Sequence, residues 1–431
     1  MYQPPNNLLN TIFIPLPQPH SPAAPAVAGC DQDGEAARGG VHVDLFGDKA
    51  QENFATVVRA LARLGVEGQF FTTPTSIFAA FGAQNAQRTF LVRLEPGALH
   101  LEHLARVQAI AEDVLDGRLT PREGLTALEA LDREPPRWNA AITILAFGLA
   151  AGAAGHFLGG GLPEVLTAGG LAMVTGGLAT LGLLPEGMRR FFEVFSAFVV
   201  SFAVGGIAMR TPLSTYVATL GGLMVLLPGL PFSAAMSELN SQHLVSGTAR
   251  LTGAIVRFVG LAFGVALGSR VAHVVFGTPP HLAAHALPAW ATGVALAVAP
   301  LAFTVLMRAR PVDAPAILAV CIAAYWGSQF GSQALGPELG VFLGAFVAAA
   351  ASNLLAHRRG VPPLVTLTPA LLLLVPGSVG FRSLALLLDQ AVVDGIQAAF
   401  RMVIMFSALV AGLQVAAVAA PPPRLRLSRR A

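Results

Sequence analysis

Leu226-Leu227-Pro228-Gly229, followed by Val245-Ser246-Gly247, returns later in the chain as Leu374-Val375-Pro376-Gly377, followed by Val393-Asp394-Gly395. The offset is 148 residues for both landmarks, Pro228 to Pro376 and Gly247 to Gly395, with no gap. Each Pro-Gly closes a long apolar run. Proline has no amide to donate and glycine holds the backbone loosely, so a helix arriving there is interrupted. In lipid, freed backbone groups are tolerated only where they are buried in protein or line a cavity. Pro228, Gly229, Pro376 and Gly377 therefore mark the expected ligand region. The alternative is two ordinary loops at the membrane surface.

The composition around these breaks is that of an integral membrane protein. The chain has 431 residues, 54% hydrophobic and only 12% charged, where a soluble domain carries about 25% charged residues. A soluble enzyme, a nucleic-acid module and a disordered scaffold are excluded on that ground. The charge is divided: residues 1–138 carry a net −5 and residues 139–431 a net +8. The chain thus reads as an acidic head joined to a membrane part with arginine-rich edges, and nucleic acid is not an expected partner. Cys30 and Cys321, in a polar tail and an apolar run, suggest neither a disulfide nor a zinc site.

Ten apolar stretches follow Asn139, at roughly 139–158, 163–184, 191–209, 212–228, 249–272, 287–307, 314–330, 335–356, 361–376 and 396–419, each long enough to be read as a span. With the head and both termini in the cytoplasm, Arg189, Arg190, Arg308, Arg310, Arg358, Arg359, Arg424, Arg426, Arg429 and Arg430 all fall inside, as the positive-inside rule requires. Each Pro-Gly ends the fourth span of a five-span half. An odd number of spans per half inserts the second half upside down, the arrangement of many secondary transporters. The predicted fold is a membrane all-α protein of ten transmembrane helices in two inverted five-helix repeats, residues 139–278 and 287–419. A basic tail follows at 420–431.

Residues 1–45, rich in Pro, Gly, Ala and Asp, read as a disordered tail. Residues 46–134 read as a small cytoplasmic α+β domain. Phe54, Val57, Val58, Leu61 and Leu64 share one helical face. Three short strands are expected at Gln69–Thr73, Ser76–Phe81 and Arg88–Leu94, and a helix carries Leu101, Leu104, Ile110, Val114 and Leu115. Thr120-Pro121-Arg122-Glu123 forms a capping box that opens a further helix through Leu131.

Charges within apolar helices are costly and mark function. After the first break come Glu238 and Asn240, then Arg250 and Arg257 on one face of the fifth span. After the second come Asp389 and Asp394, then Arg401. A zwitterion needs an anion site and a cation site. Arg250, Arg257 or a helix N-terminus at a break suits a carboxylate, and Glu238, Asp389 or Asp394 suits an ammonium group or a coupling proton. Glu238–Arg250 and Asp394–Arg401 also fit as structural ion pairs. No metal or other cofactor is expected.

Several stretches resemble the threonine/serine exporter family: Ala62-Arg63-Leu64-Gly65, Phe71-Thr72-Thr73-Pro74-Thr75, Arg88-Thr89-Phe90-Leu91-Val92-Arg93, Gly117 through Glu123, Leu227-Pro228-Gly229-Leu230-Pro231-Phe232 with Ser246-Gly247-Thr248-Ala249-Arg250, and Leu374 through Gly377. The resemblance covers about residues 50–419. It departs at Glu238, where the family usually carries aspartate, and at Ser241-Gln242, where an acidic residue often stands. What it implies is a proton-coupled secondary transporter that exports threonine, serine or a similar small polar amino acid. The expected setting is a bacterial cytoplasmic (inner) membrane, with the lipid bilayer as surroundings and a homo-oligomer left open. Two alternatives stand beside it: export of another small solute such as a short peptide or organic acid, or a membrane-anchored hydrolase or sensor acting through the head, with Ser76 and His100 as its reactive pair.

Overall fold

The computed structural model describes residues 11–15, 40–44, 68–73, 75–81, 88–93, 99–189, 191–280, 282, 284–374, 377, 379–380, 382–383 and 392–423. The expected helix at Phe54–Leu64 lies outside them, as do Pro376 and Asp389. The chain is mostly helical and divides into two units, residues 1–135 with 424–431, and residues 136–423.

In the first unit, β1 (Thr11–Pro15) and β2 (Gly40–Asp44) pair antiparallel, Phe13 opposite His42. Part of the segment expected to be a disordered tail is thus a two-stranded sheet. The physical basis is local: Ile12 and Ile14 alternate across from Val41 and Val43, and β-branched residues at every second position suit a strand. A separate meander joins β3 (Gly68–Thr73), β4 (Ser76–Phe81) and β5 (Arg88–Arg93) in the order β3-β4-β5. Ile77 and Ala79 point into its core, while Phe71, Phe78 and Leu91 form an exposed row across the three strands.

Helix α1 (Leu101–Leu115) buries Leu101, Leu104 and Ala105; α2 (Pro121–Asp132) buries Leu128 and Leu131. Glu123 N–H donates to Thr120 Oγ1 at 3.3 Å, and Thr120 N–H donates to Glu123 Oε2 at 2.8 Å. That reciprocal pair satisfies two of the three free donors at the start of α2, Pro121 having none. Gly117, at φ +75°, makes the turn between the helices.

The second unit contains α3 (Ala140–Phe157), α4 (Leu162–Thr180), α5 (Phe192–Ala208), α6 (Thr215–Leu223), α7 (Gly229–Asn240), α8 (Leu244–Phe276), α9 (Trp290–Leu306), α10 (Ala314–Leu335), α11 (Pro337–Arg359), α12 (Pro363–Leu374) and α13 (Val392–Ala419). Helical segments occur at all ten stretches picked out by hydropathy. By length and composition, six helices among the described residues can cross a membrane, or seven if the bent pair at Thr215–Leu226 and Gly229–Asn240 is one span. Three more, α5, α9 and α12, are apolar but shorter.

Small residues set the packing. Gly169 and Gly148 bring α4 against α3: a Cβ on Gly148 would lie 3.0 Å from Gly169 O. A Cβ on Gly264 of α8 would collide with Val194 O of α5 and stand 2.8 Å from Ala197 Cβ. A Cβ on Gly412 of α13 would collide with Phe342 O of α11 and stand 3.0 Å from Ala345 Cβ. Gly264 and Gly412, Val194 and Phe342, and Ala197 and Ala345 are all 148 residues apart. The helix pairs α5–α8 and α11–α13 therefore meet through the same contact in the register of the Pro-Gly motifs.

Helices α3 and α9, also 148 residues apart, run antiparallel. Trp138 Nε1 donates to Ala309 O at 3.2 Å at one end, and His156 Nε2 lies 3.0 Å from Thr292 Oγ1 at the other. Between these contacts Ala146, Ala150 and Ala153 pack on Ala295, Ala299, Ala302 and Phe303. Alanine faces let two helices approach closely where packing, not a hydrophobic force, holds helices together.

Candidate functional site

The first break begins as α6 tightens into a 3-10 turn at Met224–Leu226 and ends at Pro228. Helix α7 then restarts at Gly229, bent 60° from the segment before it. Pro228 and Gly229 are buried. Helix α12 ends at Leu374, ahead of the second Pro-Gly motif, and Gly377 of that motif is also buried. A Cβ on Gly377 would lie 3.5 Å from Leu227 Cδ1. Residues of the two Pro-Gly motifs, 148 positions apart in sequence, are thus neighbours in space.

Beside them is a cavity of about 360 Å³. Met224 and Val225 border it from the first break, Leu372, Leu373 and Leu374 from the end of α12. Helix α10 contributes Tyr325, Ser328, Gln329 and Ser332. These four stand at i, i+3, i+4 and i+7, one face of a helix, and give an otherwise apolar chamber a polar wall. The chamber runs from the breaks toward the His156–Thr292 end of the α3–α9 pair, where Phe157, Leu158 and Pro337 border it. Its size falls in the ordinary range for a small-ligand site, and its mix of apolar walls with a few convergent polar groups is the usual one.

Sequence reasoning did not single out the α10 stripe. Its signal was present as Tyr-x-x-Ser-Gln-x-x-Ser at helical spacing within an apolar run. Glu164 was also overlooked. It is 3% exposed and accepts from Gly161 N at 2.9 Å and from Ser214 N at 2.7 Å. One buried carboxylate therefore ties the start of α4 to the residue preceding α6. A first-turn glutamate after Gly-Leu-Pro is a recognisable helix-start signal, but its second partner is not encoded nearby.

The expected charged residues are distributed differently. Arg250 Nε donates to Glu238 Oε1 at 2.9 Å, with side chains 23% and 14% exposed. Glu238 Oε2 is buried without a hydrogen-bond partner among the described residues. Ten residues of α7 at about 1.5 Å each place Glu238 about 15 Å beyond Pro228, and neither it nor Arg250 lines the cavity. Arg257 faces Glu193 of α5 at 3.9 Å. Arg401 pairs with Glu338 of α11 at 3.5 Å, replacing the Asp394–Arg401 pair suggested by sequence. The close crossing of α13 on α11 at Gly412 brings those two helices together, whereas Asp394 stays exposed on its own helix. Asn240 is exposed at the end of α7. In the first unit, Ser76 Oγ lies 2.7 Å from Thr73 Oγ1, and His100 Nδ1 accepts from His103 N at 3.2 Å, capping α1. Each group suggested for a reactive pair therefore has a local structural partner.

Residues 46–272 match a family model described as threonine/serine exporter, and residues 292–419 match a second, described as "Threonine/Serine exporter, ThrE". Among curated relatives, a "Pheromone-regulated membrane protein 10" of Pichia sorbitophila is 26% identical over 213 residues, covering 48% of this chain and 21% of that protein. The protein of the same name from Eremothecium gossypii is 24% identical over 279 residues, 62% of this chain and 37% of that protein. The one from Saccharomyces cerevisiae is 29% identical over 215 residues, 48% of this chain and 27% of that protein. The chain thus spans well under half the length of these relatives. No solved structure matches it. The chain belongs to the threonine/serine exporter family.

Proposed function

We propose that the protein is a secondary transporter that exports threonine, serine or a similar small polar amino acid, driven by the proton gradient. The observation that carries this reading is the meeting of the bent α6–α7 segment with Gly377 of the second Pro-Gly motif, beside a cavity of about 360 Å³. Broken helices present free amides at one end and free carbonyls at the other, so they can hold both charges of an amino acid without a buried charged side chain. The Tyr325, Ser328, Gln329 and Ser332 stripe supplies donors and acceptors for a hydroxyl. Glu238, with one oxygen engaged by Arg250 and the other without a partner among the described residues, is the proposed proton carrier.

The membrane part is proposed to be ten spans in two oppositely oriented halves, with the N-terminal unit and both termini in the cytoplasm of a bacterial inner membrane. The arginine distribution supports the orientation. The antiparallel α3–α9 pair and the 148-residue register of the Gly264 and Gly412 contacts support the opposed halves. A direct test is uptake of labelled threonine, serine and unrelated amino acids into proteoliposomes under an imposed pH gradient. Flux of threonine or serine that follows the gradient is expected; flux confined to unrelated solutes would replace the substrate assignment with the organic-acid or peptide alternative.

A further inference from the structure

The two halves share a register but not an arrangement. Helix α4 packs along α3, where a Cβ on Gly169 would lie 3.1 Å from Gly148 O. Its counterpart 148 residues on, α10, packs instead along α11: a Cβ on Gly331 would lie 3.0 Å from Gly340 O, and one on Gly344 3.0 Å from Ala324 O. The cavity occupies the space that α10 leaves on its α9 side. Part of its lining falls on the register: Met224 and Val225 map to Leu372 and Leu373, and all four line it. When two related halves adopt different arrangements, exchanging them produces a second state of similar energy with the cavity on the other side.

Shifting the remaining lining by 148 residues names the second wall. Tyr325, Ser328, Gln329 and Ser332 become Gly177, Thr180, Leu181 and Leu184, while Val341 and Met405 become Glu193 and Arg257. We propose that α4 and α10 exchange packing partners during the transport cycle. The exchange opens a second vestibule at the Trp138–Ala309 end, where Glu193 and Arg257 receive the ammonium and carboxylate groups of a zwitterionic amino acid. This inference rests on the transport reading given above.

The chemistry differs between the faces. The vestibule present in the structure has the uncharged Val341 and Met405 at the positions where the second has an acid and a base. Arg257 Nε stands 3.9 Å from Glu193 Oε1, and the side chains are 53% and 33% exposed. That is a loose pair, open to a competing carboxylate, to which guanidinium binds in a two-pronged fashion. Under the proposed topology this end faces the cytoplasm, so an exporter meets its charged recognition groups on the loading side and a neutral wall on the release side.

The test uses the full chain with Cys30→Ser and Cys321→Ala, reconstituted in proteoliposomes, with Ser328→Cys and Thr180→Cys introduced singly. A membrane-impermeant maleimide is expected to modify Ser328→Cys from one face and Thr180→Cys from the opposite face. Labelled serine counterflow then reads affinity at each face. Arg257→Met should raise the half-saturating concentration about tenfold or more at the Thr180 face, the loss of one charge-assisted hydrogen bond, and leave the other face unchanged; Arg257→Lys should retain most of the affinity. Modification of both cysteines from the same face, no modification of Thr180→Cys under turnover, or an equal Arg257→Met effect at both faces overturns the inference even if serine flux is normal. Absence of threonine and serine flux with labelling from opposite faces leaves the two vestibules standing and removes the substrate assignment instead.

Discussion

Replacing Gly264 and Gly412 with alanine tests whether the 148-residue register governs packing. At both positions a methyl group would collide with a backbone carbonyl of the facing helix and stand 2.8 or 3.0 Å from an alanine Cβ. Carbon atoms prefer about 3.5–4.0 Å, so the helices must separate by roughly 0.5–1 Å. Overpacking of this kind costs about 1–3 kcal/mol, and alanine returns up to about 1 kcal/mol through its helix propensity. Gly170 and Gly293, where nothing lies within 4 Å of the added Cβ, receive only the propensity gain. The expected gap between the crowded and open glycines is therefore about 1–3 kcal/mol. Because the two crowded contacts are register equivalents on different helix pairs, Gly264→Ala and Gly412→Ala should lower stability by similar amounts, and the double variant by their sum. Thermal unfolding of the full chain in detergent, with Gly170→Ala as reference, reads the difference. If Gly264→Ala and Gly412→Ala were as stable as Gly170→Ala, or if only one were damaging, the packing register would be refuted.

Gln329→Ala should raise the half-saturating concentration for threonine about fivefold, the loss of one hydrogen bond of about 1 kcal/mol, with expression unchanged; unaltered transport kinetics would remove α10 from the binding site. Glu238→Gln should abolish the pH dependence of flux while the protein remains folded, because the amide still accepts from Arg250 but cannot release a proton; retained pH-dependent flux in vesicles would exclude Glu238 as the carrier. Burial holds His103 below the ordinary imidazole value, outweighing the opposing Glu102 carboxylate. As pH falls through about 6.5 the unfolded chain takes up a proton that native His103 does not, so stability declines until the lowered native value is passed. Amide exchange across Leu101–Asp132, corrected for intrinsic rates, should show weaker protection at pH 5.5 than at 7.5, and His103→Gln should flatten that change.

Much of the local architecture was legible in the chain. Thr120 and Glu123 announced a capping box because both halves of that device lie within four residues. Pro228 and Gly229 announced a broken helix because the missing donor and the loose backbone are properties of the residues themselves. The α10 stripe was equally local and was passed over because uncharged Tyr, Ser and Gln stand out less than arginine or glutamate in an apolar run. The partner of Arg401 was not legible: Asp394 lies nearer in sequence, yet the α11–α13 contact at Gly412 delivers Glu338.

By itself the sequence determined where helices start, where they are interrupted and which residues share a face, since these depend on bonds and periodicities spanning a few residues. It also held the 148-residue register. Only the tertiary structure decided that the two Pro-Gly motifs meet at Leu227 and Gly377, that the cavity lies beside α10 rather than beside Glu238, and that α4 and α10 choose different neighbours. Helical periodicity specifies a face but not what that face meets; the meeting is settled by close contacts such as Gly148 on Gly169 and Gly331 on Gly340, between backbones brought together by the whole fold.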